Sequence, residues 1–197
     1  MQRSTSRRER ERGATLVEAA LVTPLLFMLV FGVIEFGTAW FHRSAVEDMS
    51  AVGARAASVS GSDAVADYQI LQAVRRATAD TGAVTAVVVY RATAPGDPLP
   101  DACRTASVVN TATVRGCNRY GAADLSLAAD RFGCTGTARD AAWCPSTRRT
   151  ALQGAKGPPD YVGVYVETHH QSATGLLGRL WDFRSVTVLP IEPRTYS

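Results

Sequence analysis

Arg12-Gly13-Ala14-Thr15-Leu16-Val17-Glu18-Ala19-Ala20-Leu21-Val22-Thr23-Pro24 is the stretch on which the fold turns, because a charged head becomes an apolar run within it. Ahead of it stand Arg3, Arg7, Arg8 and Arg10. Behind it, residues 14–41 hold only two charged side chains, Glu18 and Glu35. A carboxylate at a membrane boundary is expensive, so a sequence that keeps one there has a use for it. As a helix, residues 16–41 would extend about 39 Å, enough to cross a hydrocarbon core of ~30 Å with tilt. Pro24 lies inside this run, frees the carbonyl of Ala20, and is expected to kink the helix. Membrane helices tolerate that loss where neighbouring groups cover the carbonyl.

Charge agrees with a membrane reading. Residues 1–13 carry five arginines against Glu9 and Glu11, which accounts for the whole formal charge of +3. The remaining basic and acidic residues cancel, so nucleic-acid binding has no support. The basic head reads as a cytoplasmic anchor, with residues 42–197 outside. Cysteine placement fits, since Cys103, Cys117, Cys134 and Cys144 all fall in the outer part. Zinc favours close Cys-x-x-Cys pairs, which are absent here, so disulfides are expected. Of the three possible pairings, Cys103–Cys117 with Cys134–Cys144 is expected because it staples two loops; sequence leaves the others open.

Beyond Phe41 helical character continues. Residues 42–60 lack proline and carry Ala45, Ala51, Ala54, Ala56 and Ala57 around Gly53. Small residues allow close helix approach, so packing against sister helices competes with a plain alanine-rich helix. Gly61 is expected to end it. A second helix is expected from Asp63 to about Asp80, with Val65, Tyr68, Leu71 and Val74 on one face and Gly82 as the stop. Strands are expected at 83–92, at roughly 106–115, from Tyr161 through Val166, and around Val186, Val188 and Ile191. Pro95, Gly96, Pro98 and Pro100 mark a turn, and 116–159 reads as irregular. The sum is an α+β chain: a long N-terminal transmembrane helix, then a small antiparallel sheet domain with disulfide-stapled loops. Its expected parts are a leader at 1–13, a membrane helix at 14–41, a juxtamembrane helical region at 42–82 and an extracytoplasmic sheet domain at 83–197.

Gly13-Ala14-Thr15-Leu16-Val17-Glu18 resembles the processing site of type IV-like prepilins, in which a membrane peptidase cuts after the glycine and a glutamate lies five positions on. The wider segment resembles the TadE-like family of tight-adherence pilus systems. The matching residues are Val17-Glu18-Ala19-Ala20-Leu21, Pro24, and Ile34-Glu35-Phe36-Gly37. Two departures stand out. Ala14 follows the glycine where many such pilins have phenylalanine, and the outer domain is longer than in small major pilins. The resemblance therefore implies a minor pilin or pseudopilin, not an enzyme, in the cytoplasmic membrane. Implied partners are a prepilin peptidase, other pilin-like subunits, an inner-membrane assembly platform and the lipid bilayer. No cofactor is implied.

The spacing has its own rationale. Cutting after Gly13 removes the arginines and creates an ammonium on Ala14, one helical turn from Glu18. Pairing these charges avoids a cost of about 2–3 kcal/mol per group at the bilayer centre, and less toward its edge. Pro24, Glu35 and Gly37 are the expected membrane or subunit contacts, with interfacial solvation as the plainer reading of Glu35.

Other readings carry less. Gly37-Thr38-Ala39 passes for a signal-peptide cleavage site, but the apolar stretch is long for a signal core and Glu35 interrupts it. His169 and His170 are adjacent in a strand and face opposite sides, so they cannot serve one site. Asp124 and Ser126 lie in a cysteine-bracketed loop without a nucleophile motif, and no P-loop appears. Leu176, Leu177, Leu180 and Trp181, with Gly175 and Gly178, form an apolar cluster that reads as a core-filling loop, or else a docking or membrane-resting one. Two rival functions remain: a single-pass membrane-anchored binding or adhesin module, and a secreted hydrolase with its site in 116–159.

Overall fold

A computed structural model describes residues 3–78, 83–105, 116–150, 159–172, 175, 178 and 180–192; side chains are described from Thr15 onward, Leu180 excepted. One helix, α1 (Arg3–Ser60, 58 residues), runs without interruption through Pro24. At 1.5 Å per residue it is about 87 Å long. Gly61, at φ +56°, ends it with its N–H on the carbonyl of Ala57 at 3.1 Å. This is the left-handed turn that a residue without Cβ adopts freely.

The chain then forms α2 (Ala66–Ala77), β1 (Val84–Ala92), the one-turn α3 (Asp101–Arg104), β2 (Cys117–Tyr120), β3 (Tyr161–Gln171) and β4 (Leu180–Pro190). The four strands make one antiparallel sheet in the order β2-β1-β3-β4. The second helix is shorter than the expected 63–80, and Gly82 lies outside the described residues. So does the strand expected at 106–115. The described strand after it is β2, which lies within the interval 116–159 expected to be irregular. Its sequence, Cys-Asn-Arg-Tyr, shows no apolar alternation because buried Asn118 is satisfied by hydrogen bonds. The final strand begins at Leu180, earlier than Val186, so Trp181 lies in a strand; Leu176 and Leu177 are outside the described residues.

Alternation in β1 sorts the two faces. Val87 and Val89 join Val162, Val164 and Val166 of β3 beneath the helices. There they meet Val46, Met49, Ala54 and Ala57 of α1 and Ile70, Leu71 and Val74 of α2. On the opposite face Val88 and Tyr90 pack with Tyr165, Leu99, Cys103 and Cys117. Both disulfides pair as expected, Cys103 with Cys117 and Cys134 with Cys144.

Two glycines set distances. A Cβ on Gly53 would lie 3.0 Å from both Val164 Cγ1 and Val74 Cγ2, so its absence lets α1 approach β3 and α2 together. A Cβ on Gly163 would sit 2.2 Å from Tyr90 Cζ. The Tyr90 ring occupies that space and donates its hydroxyl to the carbonyl of Asp97 at 2.5 Å. Burial foremost, with the Asp97 charge, pushes the Tyr90 phenol up to about 12.

A buried polar cluster joins α2 to the cysteine-rich segment. Asp67 accepts from Arg148 Nη2 at 2.5 Å, Asn118 Nδ2 at 2.7 Å and Tyr120 Oη at 2.7 Å. The Arg148 guanidinium lies 4.2 Å over the Trp143 ring centroid. Its Nε and Nη1 have no hydrogen-bond partner among the described residues. Burial, reinforced by the Asp67 charge, raises the Tyr120 phenol well above its ordinary value.

Candidate functional site

The segment expected to carry function is the amino-terminal third of α1. Thr15–Ser60 is long and apolar enough to cross a membrane, near the N-terminus. Residues 15–31 within it are all exposed. Leu16, Val17, Leu21, Leu25, Leu26, Met28, Leu29 and Val33 are all more than half exposed. Soluble domains rarely leave so continuous an apolar surface to water. Gly13 and Ala14 lie within the helical backbone, and Glu18 is exposed one turn further on. Pro24 continues the same open surface, and around Gly32 and Gly37 a Cβ would find nothing within 4 Å.

Glu35 departs from this pattern, being only 3 % exposed in a segment otherwise open on most sides. Its Oε1 accepts the backbone N–H of Gly175, in the β3–β4 connection, at 3.0 Å. Glu35 begins the inward face of α1, which continues through Ala39, His42, Val46, Met49, Gly53 and Ala57 at intervals of three or four residues. That face packs on β3 and β4. The small residues expected to suit sister helices are thus partly used within the chain: Gly53, Ala54 and Ala57 turn inward, while Val52 and Val59 face out.

At the lower end of this face, His42 stacks on His170 of β3, ring centroids 3.7 Å apart. Burial first, then the nearby His42 and His169, holds His170 below its ordinary value. His169 points to the other side and bonds Asp182 Oδ1 through Nδ1 at 2.7 Å. The two adjacent histidines therefore serve different neighbours, as strand alternation requires. At the upper end, Ser50 Oγ lies 2.9 Å from Ser185 Oγ and 3.0 Å from Thr187 Oγ1. Ser58 Oγ donates to the carbonyl of Pro190 at 2.6 Å.

Asp124 and Ser126, in the interval where a hydrolase site would lie, have structural duties. Asp124 closes its own turn through Gly121 N–H at 2.9 Å and takes the Arg139 guanidinium, and Ser126 donates to the carbonyl of Ala123. Sequence reasoning missed the inward turn of Glu35, because its partner is a backbone N–H 140 positions away. Asp67 and Arg148 escaped it for the same reason.

Residues 13–55 match a family model described as TadE-like protein. No curated protein and no solved structure matches the chain. The matched residues begin at Gly13, span the exposed apolar stretch, and end within the part of α1 that packs on the sheet.

Proposed function

We propose that this protein is a minor pilin or pseudopilin of a tight-adherence-type pilus or secretion machine. It is anchored by α1 in the cytoplasmic membrane, amino end inside, with the sheet domain outside. The observation that carries this reading is the uncovered apolar half of α1 within the TadE-like match. An apolar helix attached to a well-packed, disulfide-stapled domain is a part built to be held by lipid and then by other helices.

In this reading a prepilin peptidase cuts after Gly13. Removing five arginines releases the cationic hold on the inner leaflet. The new ammonium on Ala14 sits one turn from Glu18, whose exposed carboxylate neutralises it within the chain or on a neighbouring subunit. The open surface around Pro24, Gly32 and Gly37 receives sister helices or the assembly platform. Catalysis has no place in this mechanism; the chain is a substrate and then a building part.

Amino-terminal sequencing of protein purified from cells carrying the peptidase tests the reading. The expected end is Ala14, lost in Gly13→Leu. A mature protein that retains residues 1–13 while assembling normally refutes it, and favours a membrane-anchored binding module instead.

A further inference from the structure

The apolar helix is longer than a bilayer requires. A hydrocarbon core of ~30 Å takes about 20 residues at 1.5 Å each. Counted from Leu16, those residues end at Glu35, and 36–41 then rise about 9 Å through the headgroup layer. At this level the chain places its β3–β4 connection, with Gly175 N–H on Glu35 and His170 on His42. Building on the membrane-anchored reading above, we infer that the β3–β4 hairpin tip, around Ser172, Gly175, Gly178 and Trp181, is a second membrane contact seated among the phospholipid headgroups of the outer leaflet.

Among the described residues of the tip, the backbone groups of Gly175 and Gly178 find partners within the protein. Gly175 N–H is shared between Glu35 Oε1 at 3.0 Å and Ser172 Oγ at 3.1 Å. Ser172 Oγ donates to the carbonyl of Gly178 at 2.6 Å, and Gly178 N–H reaches the carbonyl of Gly175 at 3.4 Å. Backbone that meets the edge of the hydrocarbon must find partners inside the protein, because lipid offers none. The same contact gives the Glu35 carboxylate a donor where water thins out.

Aromatic placement agrees. Trp40 and Phe41 are 62 % and 70 % exposed on the helix just above Glu35. In β4, half-buried Trp181 lies opposite His170 in the strand register and 6.1 Å from Phe183. Amphipathic aromatic rings concentrate at this depth. Phospholipid, rather than a protein partner, is the occupant these features favour, since the tip is fixed to the spanning helix itself at the level where the hydrocarbon ends. Two attachments hold the domain in one orientation over the bilayer, and extraction into a fibre must release both.

Tryptophan quenching in vesicles tests the inference on the full chain. Phosphatidylcholine–phosphatidylglycerol vesicles would contain phosphatidylcholine brominated near the carbonyl end of its acyl chains. Trp40→Phe reports Trp181, Trp181→Phe reports Trp40, and the double variant supplies the background of Trp143. The inference expects bromolipid to reduce emission from both Trp40 and Trp181. Quenching of Trp40 with Trp181 unchanged from background would overturn the hairpin contact while leaving the anchor intact. Loss of quenching at both positions would overturn the anchor and the hairpin contact together.

Discussion

Replacing Arg148 with methionine should be among the most damaging changes available in the outer domain. Asp67 and Arg148 are both fully buried, and the substitution leaves the Asp67 carboxylate with Asn118 and Tyr120 but no counter-charge. Breaking one side of a buried ion pair costs about 3–5 kcal/mol. The guanidinium over the Trp143 ring adds on the order of 1–2 kcal/mol. Against this stands a relief, because the wild-type pair is incompletely satisfied. Each of the orphaned donors, Arg148 Nε and Nη1, carries a desolvation penalty of about 1–3 kcal/mol that vanishes with the side chain. Because the figure of about 3–5 kcal/mol is already the net cost of removing a whole partner, this relief only places Arg148→Met in the lower part of the summed range of about 4–7 kcal/mol, at about 4–5 kcal/mol. Asp67→Asn combined with Arg148→Met removes the stranded charge as well and should cost about 1–3 kcal/mol, chiefly for one unpaired amide. Urea unfolding of the full chain in detergent, followed by Trp143 emission and circular dichroism, measures both. If Arg148→Met lies within about 1 kcal/mol of the parent, or the double variant costs the sum of the singles, the cluster is not the coupled charge pair described.

Gly163→Ala should destabilise by about 2–4 kcal/mol, combining overpacking against the Tyr90 ring with loss of its bond to Asp97, and Tyr90→Ala in the same chain should recover part of that loss; thermal melting checks both. His170 gives a pH prediction. Its folded value lies below the ordinary 6.5, so the unfolded state binds the proton more readily, and stability falls as pH drops from above 6.5 through the folded value. His170 faces His42 on α1 and Phe183 on β4, with His169 and its partner Asp182 on the reverse side. Melting between about pH 7.5 and about pH 5.5 should show a smaller acid loss in His170→Phe than in the parent; equal slopes would assign the loss to other groups.

Much of the architecture follows from local pattern. The uninterrupted apolar run and the alanines beyond it specify a single long helix, because 3.6-residue winding needs only neighbours in sequence to propagate. Valine-rich runs at 84–92 and from 161 specify strands whose residues, branched at Cβ, favour extended backbone. The observed disulfides are the pairing expected because it staples two loops, while the sequence itself left the other two pairings open. β2 was not legible, since its buried Asn118 looks like a loop residue until the Trp143 backbone is found against it.

The chain's own order of residues determined the charged head, the apolar helix and its spaced carboxylates, because hydropathy and helical periodicity act over neighbouring positions. Tertiary structure alone decided that Glu35 turns to Gly175 across 140 positions and that Asp67 meets Arg148 across 81. A polar side chain carries no periodic mark of its partner. Which donor meets it depends on how sheet and helix close upon each other, and Gly53, where a Cβ would strike Val164 and Val74, matters to that closure only once the surfaces touch.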